Sequence, residues 1–307
     1  MPSGSWRSRL KRLLPEVLLD EPMARHTTFR IGGPADAFFT AKRGGDLSQL
    51  YRFARDEALR ITPLGWGSNL LVLDGGVRGI VLTLGGPYAR LRFAEEGLVW
   101  AGAAVRLPRL IAACAEKGLG GAEPLVGVPG TVGGALVMNA GTRELEIGDV
   151  TVSVDVFDPE ALEMRRLGGA EVRFAYRSST LEGTLVLGGT LSLKAGDPGD
   201  IMARVRRFQQ ERLKSQPVHT FNVGSTFKNP PGRFVAQLIE AAGLKGCVRG
   251  GARVSPMHAN FIENFNAASA ADVLALVELA RREVRERDGL ELELEMKVIG
   301  EASARPS

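Results

Sequence analysis

The feature that most constrains this chain is a glycine-rich stretch, GVPGTVGGALVMNAG, which runs from Gly127 to Gly141 and places five glycines in fifteen residues. A backbone this bare is needed where the chain turns too sharply for side chains, or where another group approaches closely. In isolation, a tight turn packed against a helix would explain it. Its spacing, G-x-x-G-x-x-G-G, differs from the G-x-G-x-x-G of dinucleotide-binding folds, so a phosphate-bearing cofactor would be bound in another fold.

A second glycine loop, GWGSNLLV, follows a short predicted strand and places Gly65 and Gly67 on either side of a tryptophan, with Ser68 and Asn69 next. Backbone N–H groups in such a turn can form an anion-binding nest, although a loop of this composition is usually only a turn. Two such loops in one β-rich region favour a single ligand bound by both.

Composition narrows the class of protein. The chain has 307 residues, of which 44% are hydrophobic and 24% charged, which is typical of a folded soluble protein of two or three domains. The net charge of +4 fits anionic small molecules as well as nucleic acid. Because no Lys/Arg run is interleaved with aromatic residues, we expect no nucleic-acid partner.

Cysteine and hydropathy patterns predict the compartment. Two widely separated cysteines, Cys114 and Cys247, indicate a reducing cytoplasm. No apolar run has the length of a membrane span, so we expect no membrane partner, and the basic, leucine-containing start predicts a short amphipathic helix. The three histidines lack metal-ligand spacing, so we expect no metal.

Hydrophobic periodicity predicts a β-rich region followed by a helical one. Strands are predicted around residues 37–40 and 61–64, and in DVTVSVDVF, whose alternating valines share one face. Helices are predicted over LPRLIAACAEKG and residues 202–213, 234–242 and 270–288, the last with a Ser269/Asp272 capping box. The GDPGD segment before residue 201 is typical of a linker, and ELELEMKVIG alternates like a final strand.

Seven motifs, taken in order, resemble the UDP-N-acetylenolpyruvoylglucosamine reductase family. They are HTTFRIGGPADAFF, GWGSNLLV, VGVPGTVGGALVMNAG, FAYRSS, GSTFKNPPG, AGLKGCVRGGARVSPMHANFIEN and LELEMKVIGE. The resemblance covers nearly the whole chain from about His26 to Gly300, and the motifs are highly specific in combination.

The resemblance implies an α+β protein, in which two subdomains of the vanillyl-alcohol-oxidase type bind FAD and a C-terminal α+β domain binds substrate. The implied boundaries are 1–85 and 86–199 for the FAD-binding subdomains and 200–307 for the substrate-binding domain. The implied cofactor-binding residues are Gly65, Gly67, Ser68, Asn69, Leu70, Gly127, Pro129, Gly130, Thr131, Gly133, Gly134, Asn139, Ala140 and Gly141.

The family's reaction is implied as well. NADPH would reduce FAD, and hydride would then pass to the enolpyruvyl ether of UDP-N-acetylglucosamine enolpyruvate, giving UDP-N-acetylmuramate for peptidoglycan. Arg177 would bind the substrate carboxylate, Ser225 would donate a proton, and Glu295 would help Arg177 polarise the carboxylate. Without the resemblance, each would be interpreted as a surface or turn residue.

Four further positions match the family's substrate side: Lys228, Asn229, His258 and Asn260. One family type carries an inserted loop with a tyrosine that covers the substrate. Between Arg177 and Ser225 the only aromatic residues are Phe208 and Phe221, so this chain resembles the shorter type. We expect a monomer.

Two alternatives stay open from the sequence. One is another flavoprotein of the same fold, such as an oxidase of sugar lactones or hydroxy acids, for which the C-terminal motifs would have no known role. The other is a nucleotide-sugar or flavin-binding module without activity, against which the three intact catalytic positions argue. The choice of NADPH over NADH also stays open.

Overall fold

The computed structural model describes residues 5–302, which divide into two compact units that each combine several stretches of the chain. Unit 1 contains the residues up to 19, 37–65 and 79–211, and unit 2 contains 20–36, 66–78 and the residues from 212 onward. The division differs in kind from the predicted boundaries at 85/86 and 199/200, which cut the chain into consecutive segments and stay a prediction.

Seven α-helices lie within residues 5–302. They are α1 (Trp6–Leu13), α2 (Gly44–Asp56), α3 (Leu107–Glu116), α4 (Val132–Met138), α5 (Pro198–Ser215), α6 (Val235–Ala241) and α7 (Ala270–Asp288). Over this same range, none of the helices combines the length and the apolar character needed to cross a bilayer.

The described residues also form eighteen strands, most of them short. They are β1 (Leu18–Pro22), β2 (Pro34–Ala41), β3 (Ile61–Pro63), β4 (Leu70–Val72), β5 (Val77–Leu84), β6 (Leu91–Phe93), β7 (Leu98–Gly102), β8 (Leu119–Gly120), β9 (Thr151–Asp158), β10 (Glu163–Gly168), β11 (Phe174–Ala175), β12 (Ser178–Ser179), β13 (Leu185–Ser192), β14 (Lys194–Ala195), β15 (Val248–Arg249), β16 (Ala252–Val254), β17 (Ile262–Asn264) and β18 (Lys297–Ile299).

Unit 1 is organised around a five-stranded sheet in the order β10-β9-β13-β7-β6, in which every neighbouring pair is antiparallel. Helices α3 and α4 contribute to the apolar core beside this sheet, with Leu110 and Leu136 fully buried. A second core joins α1 and α2 to β2 and β5, two strands of the sheet ordered β1-β2-β5-β3. Leu47, Leu50 and Ala54 share one face of α2 at helical spacing, and all three are buried.

Unit 2 is built around α7, whose buried residues recur at helical spacing from Val273 to Val284. Its core also contains Leu71 of β4 and Phe227, which precedes α6. The three-stranded sheet β15-β16-β17 contacts the same helix. The predicted capping box is confirmed: the Ser269 hydroxyl accepts from the N–H of Asp272 (3.1 Å), and the Asp272 carboxylate accepts from the N–H of Ser269 (3.0 Å).

Two sequence predictions were wrong in part. The GDPGD segment is not a linker, because helix α5 already begins at Pro198, where a missing N–H costs nothing, and Asp197 accepts from the N–H of Asp200 (3.0 Å). In the final alternating segment Leu292 and Met296 are buried, as the alternation indicates, but only Lys297–Ile299 form a strand. Before it, the chain makes an isolated bridge between Phe227 and Leu294.

The capping box predicts a measurable effect. Ser269→Ala removes an acceptor for an N–H that has no partner inside α7, so we expect a loss of about 1 kcal/mol in the free energy of opening the helix. Ser269→Asn keeps a capping oxygen and is expected to stay close to the wild type. Hydrogen exchange of the α7 amides measures both, and equal protection in wild type and Ser269→Ala would contradict the prediction.

Candidate functional site

The two glycine loops meet within unit 1. A Cβ atom built on Gly65 would lie 2.7 Å from the Thr131 hydroxyl, so the end of the first loop touches the middle of the second. Thr131 is the N-cap of α4, and its hydroxyl accepts from the N–H of Gly134 (3.5 Å). Both Gly65 and Gly134 are exposed, so bare backbone faces outward on both sides of this contact.

The glycines of the second loop serve two different purposes. A Cβ on Gly133 would lie 2.8 Å from the Ala103 Cβ, and one on Gly141 would lie 2.5 Å from the Leu145 carbonyl oxygen. Close contacts within the protein therefore explain why Gly133 and Gly141 are glycines. In contrast, the nearest atom to a Cβ on Gly134 is the Thr131 hydroxyl at 3.7 Å, which is ordinary contact. The backbone of Gly134 is therefore open to its surroundings, and packing of the protein does not require a glycine there.

The remaining residues of this loop form the approach to α4. The loop leaves a 3-10 turn at Gly127 and passes through Pro129, which is half-buried. Gly130 is buried with φ +142°, a conformation that favours glycine, and its carbonyl oxygen accepts from the N–H of Leu107 (3.0 Å). Its place is therefore determined by the start of α3.

In unit 2, the residues that continue the first glycine loop contact the segment 26–28. Gly67 is buried with φ +62°, and a Cβ there would meet the His26 carbonyl oxygen at 2.2 Å. The Gly67 carbonyl oxygen accepts from the N–H of Thr28 (3.1 Å), and the Thr28 hydroxyl donates to the carbonyl of Asn222 (2.7 Å). Ser68 follows half-buried. Thr28 therefore links this loop to the segment that leads to Ser225.

Asn69 and Leu70 connect the same loop to the C-terminal segment. The Asn69 amide donates to the Glu295 carbonyl oxygen (3.0 Å), and the Asn69 carbonyl accepts from the N–H of Lys297 (3.0 Å). Leu70 then begins β4, which pairs in parallel with β18 from Leu70 opposite Lys297. The polar side chain of Asn69 is thus bonded within the protein.

The backbone segments that carry Ser225 and Glu295 are hydrogen-bonded to each other in unit 2. The residue after Ser225, Thr226, is buried, and its carbonyl oxygen accepts from the N–H of Glu295 (2.9 Å). The N–H of Thr226 donates to the Asn260 carbonyl (2.8 Å). Ser225 itself is half-buried and follows Gly224, whose φ of +81° favours glycine. Two of the three predicted catalytic residues are therefore brought together.

Asn260 fixes the position of the Ser225 segment. Its side chain is only 3% exposed, accepts from the N–H of Phe227 (3.0 Å) and donates to the Phe227 carbonyl (2.8 Å). Both ends of the amide are thus bonded to one residue of the segment. The geometry favours a positioning role for Asn260 over direct contact with substrate.

The other predicted substrate residues lie in the same unit. The Lys228 ammonium pairs with Glu293 (2.5 Å), and the Asn229 side chain accepts from the N–H of Val235 at the start of α6 (3.0 Å). The His258 ring meets Phe261 edge-on at 4.8 Å between centroids, and its Nδ1 accepts from the N–H of Asn260 (3.3 Å). Burial lowers the pKa of His258 below its ordinary value, so the ring is neutral at pH 7.

Arg177, the third predicted catalytic residue, belongs to unit 1. It ends the two-residue turn between β11 and β12 with φ 56°, a left-handed conformation that costs a residue with a side chain of order 1–3 kcal/mol. Its guanidinium donates to the Gly141 carbonyl (3.1 Å), pairs with Glu146 (3.4 Å) and lies over the Tyr176 ring at 4.8 Å. With only 16% of its side chain exposed, it is held by its surroundings.

Asn139 and Ala140 precede the Gly141 that contacts this arginine, and both bond neighbouring protein atoms. Asn139 ends α4 with φ 45°, and its buried side chain donates to Glu146 (2.6 Å) and to the Ala175 carbonyl (3.0 Å). The Ala140 carbonyl accepts from the N–H of Ile147 (2.9 Å). The Asn139 side chain is thus bonded to protein atoms, and the assignment of Asn139 to the cofactor stays a prediction.

Sequence reasoning missed two residues that these contacts single out, Glu146 and Thr28. Glu146 follows the Asn-Ala-Gly end of the glycine stretch by five positions, and an acidic residue so close to that end was the available signal. Thr28 lies in the motif HTTFRIGG, but nothing in the sequence indicates that its hydroxyl reaches residue 222.

Two family models match the chain. Residues 35–165 match the model described as an FAD binding domain, and residues 216–299 match the C-terminal domain of UDP-N-acetylenolpyruvoylglucosamine reductase. The predicted fold class is confirmed: an FAD-binding fold of the predicted type, followed by a C-terminal α+β domain.

Similar whole proteins agree with these matches. A UDP-N-acetylenolpyruvoylglucosamine reductase of Moorella thermoacetica is 44% identical over 288 residues, covering 93% of this chain and 94% of the relative. One of Rubrobacter xylanophilus is 41% identical and covers 95% of this chain and 98% of the relative. The crystal structure of a UDP-N-acetylenolpyruvylglucosamine reductase from Thermus caldophilus superposes with a TM-score of 0.78 at 39% identity, covering 92% of this chain and 98% of that one.

The environment of His258 predicts a pH dependence. Since the pKa of His258 is lower in the folded than in the unfolded chain, the unfolded state binds the proton first, and stability falls as the pH decreases below about 6.5. His258→Asn keeps an acceptor near Nδ1 without a titrating ring, and should lose less stability between pH 7 and 5.5. The free energy of unfolding in urea measures this. His219→Asn, at an exposed histidine, is the control, and equal pH profiles for both variants would contradict the prediction.

Proposed function

The chain belongs to the UDP-N-acetylenolpyruvoylglucosamine reductase family, and from that we propose that it uses NADPH to reduce UDP-N-acetylglucosamine enolpyruvate to UDP-N-acetylmuramate. It is an FAD-dependent oxidoreductase of peptidoglycan synthesis. The observation that carries the proposal is the pairing of the Ser225 segment with the Glu295 segment, through the 2.9 Å bond from the N–H of Glu295 to the Thr226 carbonyl. Both segments lie in the matched C-terminal domain.

The residues present fit an FAD. Where Gly65 meets Thr131, exposed glycine backbone on both loops leaves space that a Cβ at Gly134 would begin to fill. We assign the cofactor to these two loops, Gly65–Leu70 and Gly127–Gly134, whose N–H groups suit a pyrophosphate. When bound, FAD supplies the redox chemistry, accepting hydride from NADPH and delivering it to the enolpyruvyl group.

Arg177 would bind the substrate carboxylate. A guanidinium remains charged at all physiological pH values and can bind both carboxylate oxygens at once. Hydride addition to the terminal carbon leaves negative charge on the carbon next to that carboxylate, and a fixed positive charge stabilises it most when it does not have to reorient. The turn conformation, the Gly141 carbonyl and Glu146 restrict Arg177 in this way.

Ser225 would donate the proton that completes the reduction. A hydroxyl is a weak acid, so it can act only when aimed at the carbon where charge develops. The segment that carries it is held at Thr226, whose N–H donates to the Asn260 carbonyl and whose carbonyl accepts from the N–H of Glu295. We assign Glu295 to the polarisation of the carboxylate together with Arg177.

The UDP portion of the substrate contains an anionic diphosphate, which a positively charged side chain can bind. Lys228 is half-buried and pairs with Glu293, which is 72% exposed. An ion pair with so exposed a partner contributes little, so an incoming phosphate can replace Glu293 at small cost. We assign Lys228 and Asn229 to this part of the substrate, with neutral His258 nearby as a hydrogen-bonding group. We propose that the enzyme works as a cytoplasmic monomer.

The proposal predicts a sequence of absorbance changes. Purified protein should show an oxidised-flavin spectrum, lose it under anaerobic conditions with one equivalent of NADPH, and regain it when UDP-N-acetylglucosamine enolpyruvate is added. A colourless protein that does not take up FAD would overturn the cofactor assignment. A spectrum that NADPH bleaches and the enolpyruvyl sugar does not restore would overturn the substrate assignment.

The same measurement on Ser225→Ala separates the two halves of the reaction. Bleaching by NADPH should keep its rate, whereas recovery with the enolpyruvyl sugar should slow by about 10²–10⁴, the usual worth of a positioned proton donor. Ser225→Cys retains a proton and should lose less. If the flavin spectrum recovered at the same rate in the wild type and in Ser225→Ala, Ser225 would not be the proton donor.

Adjacent glycines offer a matched test of the FAD site. Gly134→Ala adds a methyl group to α4 that faces open space, so the protein should be at least as stable as the wild type. If the cofactor occupies that space, the variant should bind FAD about tenfold more weakly. Gly133→Ala places its methyl 2.8 Å from the Ala103 Cβ and should instead lower stability by about 1–3 kcal/mol. Flavin fluorescence titration and thermal unfolding distinguish the two; tight FAD binding by Gly134→Ala would place the cofactor elsewhere.

A further inference from the structure

In unit 1, Glu146 contacts the guanidinium of Arg177, and the buried amide of Asn139 bonds Glu146 in turn. We propose that Glu146 and Asn139 are positioning residues, which hold Arg177 in the orientation needed for the substrate carboxylate. The inference rests on the role proposed above for Arg177. Neither residue is needed to contact the substrate, and both act through the arginine.

Glu146 connects the two other groups directly. One carboxylate oxygen, Oε1, lies 3.4 Å from Arg177 Nη1, and the other, Oε2, accepts from the Asn139 amide at 2.6 Å. A carboxylate that is bonded at both oxygens cannot turn without breaking one of the contacts. The direction from which Glu146 meets the guanidinium is therefore set by Asn139.

Asn139 is itself fixed by the backbone around it. It is 2% exposed and ends α4 in a left-handed conformation, which asparagine tolerates better than most residues. Its Oδ1 accepts from the N–H of Gly148 (3.0 Å), and its Nδ2 also donates to the Ala175 carbonyl (3.0 Å). Ala175 is in strand β11 of the hairpin that carries Arg177. One amide thus joins the helix end, the turn after it and the hairpin.

The contact between Glu146 and Arg177 is poorly suited to stabilising the fold. At 3.4 Å it is long for a charge-assisted hydrogen bond, and the Glu146 side chain is 27% exposed, so water screens it. Its main consequence is geometric, because the pair and the Gly141 carbonyl (3.1 Å from Nη2) hold the guanidinium from two directions. A displacement of about 1 Å in such a group can cost about 10²-fold in rate.

Glu146→Gln tests the proposal with little change in size. The two contacts of Glu146 are made by different oxygens, and a glutamine replaces one of these oxygens by an NH₂ group, which would face a donor, either Arg177 or Asn139. We expect recovery of the flavin spectrum with the enolpyruvyl sugar to slow by about 10- to 100-fold, while bleaching by NADPH keeps its rate. The dissociation constant of UDP-N-acetylmuramate, measured by calorimetry, should rise as well.

A matched carboxylate controls for loss of folding. Asp155 is also in unit 1, is buried, and bonds the Trp100 ring N–H (2.7 Å) and Arg166 (2.7 Å). Asp155→Asn should lower the unfolding temperature without a selective effect on recovery with the enolpyruvyl sugar. If Glu146→Gln takes up too little FAD to measure, Glu146→Asp, which keeps the charge, is assayed in its place with the same expected selectivity.

A double-variant cycle separates positioning from an independent role. In an Arg177→Lys background, Glu146→Gln should change the recovery rate by less than about threefold, because the group it orients is already gone. The inference would be overturned if the two substitutions slowed recovery of the flavin spectrum by the product of their separate effects. It would also be overturned if Glu146→Gln alone recovered at the wild-type rate. If Arg177→Lys itself leaves recovery unchanged, the proposed role of Arg177 fails, which is a separate outcome.

Discussion

The parallel pairing of β18 with β4 is the constraint on which unit 2 depends. It joins residues 297–299 to residues 70–72, and the bond from the Asn69 amide to the Glu295 carbonyl spans 226 positions of sequence. The pairing fixes the residues after the first glycine loop against the segment of Glu295. The same C-terminal segment then donates the N–H of Glu295 to Thr226, so the position of Ser225 depends on the pairing as well.

The glycines show that one motif can satisfy two physical demands. At Gly67, Gly133 and Gly141 a side chain would collide with protein atoms, so these positions are glycine whether or not a ligand is bound. At Gly134 the protein leaves space, and only a ligand outside the chain would be obstructed. A glycine-rich loop can therefore be recognised from sequence, but which of its glycines face a ligand is decided by neighbours that are distant in sequence, such as Ala103.

Local features of the fold could be predicted from the sequence, and features that depend on distant partners could not. Helix α7 was predicted with its cap, because the Ser269/Asp272 exchange and the apolar spacing are contained in the segment itself. The final strand is shorter than the sequence predicts. Alternation indicates burial, but a strand also needs a hydrogen-bonded partner, and β4 pairs with only three of its residues. The grouping of the chain into interleaved units was likewise not visible, since it arises from pairings such as β4 with β18.

The candidate site likewise combines features that the sequence indicates with features that depend on distant parts of the chain. The resemblance supplied Arg177, Ser225 and Glu295, and the structure brings the last two together through Thr226. The left-handed conformation of Arg177 has no sequence signal of its own, because its cost is offset by contacts with Gly141 and Glu146 from another part of the chain. Those contacts explain how an arginine can occupy a turn position where glycine or asparagine would ordinarily be found.

In each unit, a buried asparagine holds the segment of a residue that is predicted to be catalytic. Asn139 bonds the hairpin of Arg177, and Asn260 bonds the segment of Ser225. An amide offers both donors and an acceptor without charge, so it can join backbone segments in a buried place where a carboxylate or ammonium would pay a large desolvation cost. An asparagine within a family motif is therefore ambiguous from sequence: it can touch a ligand, or hold the residue that does. Burial and hydrogen bonds at both ends of the amide favour the second role for both.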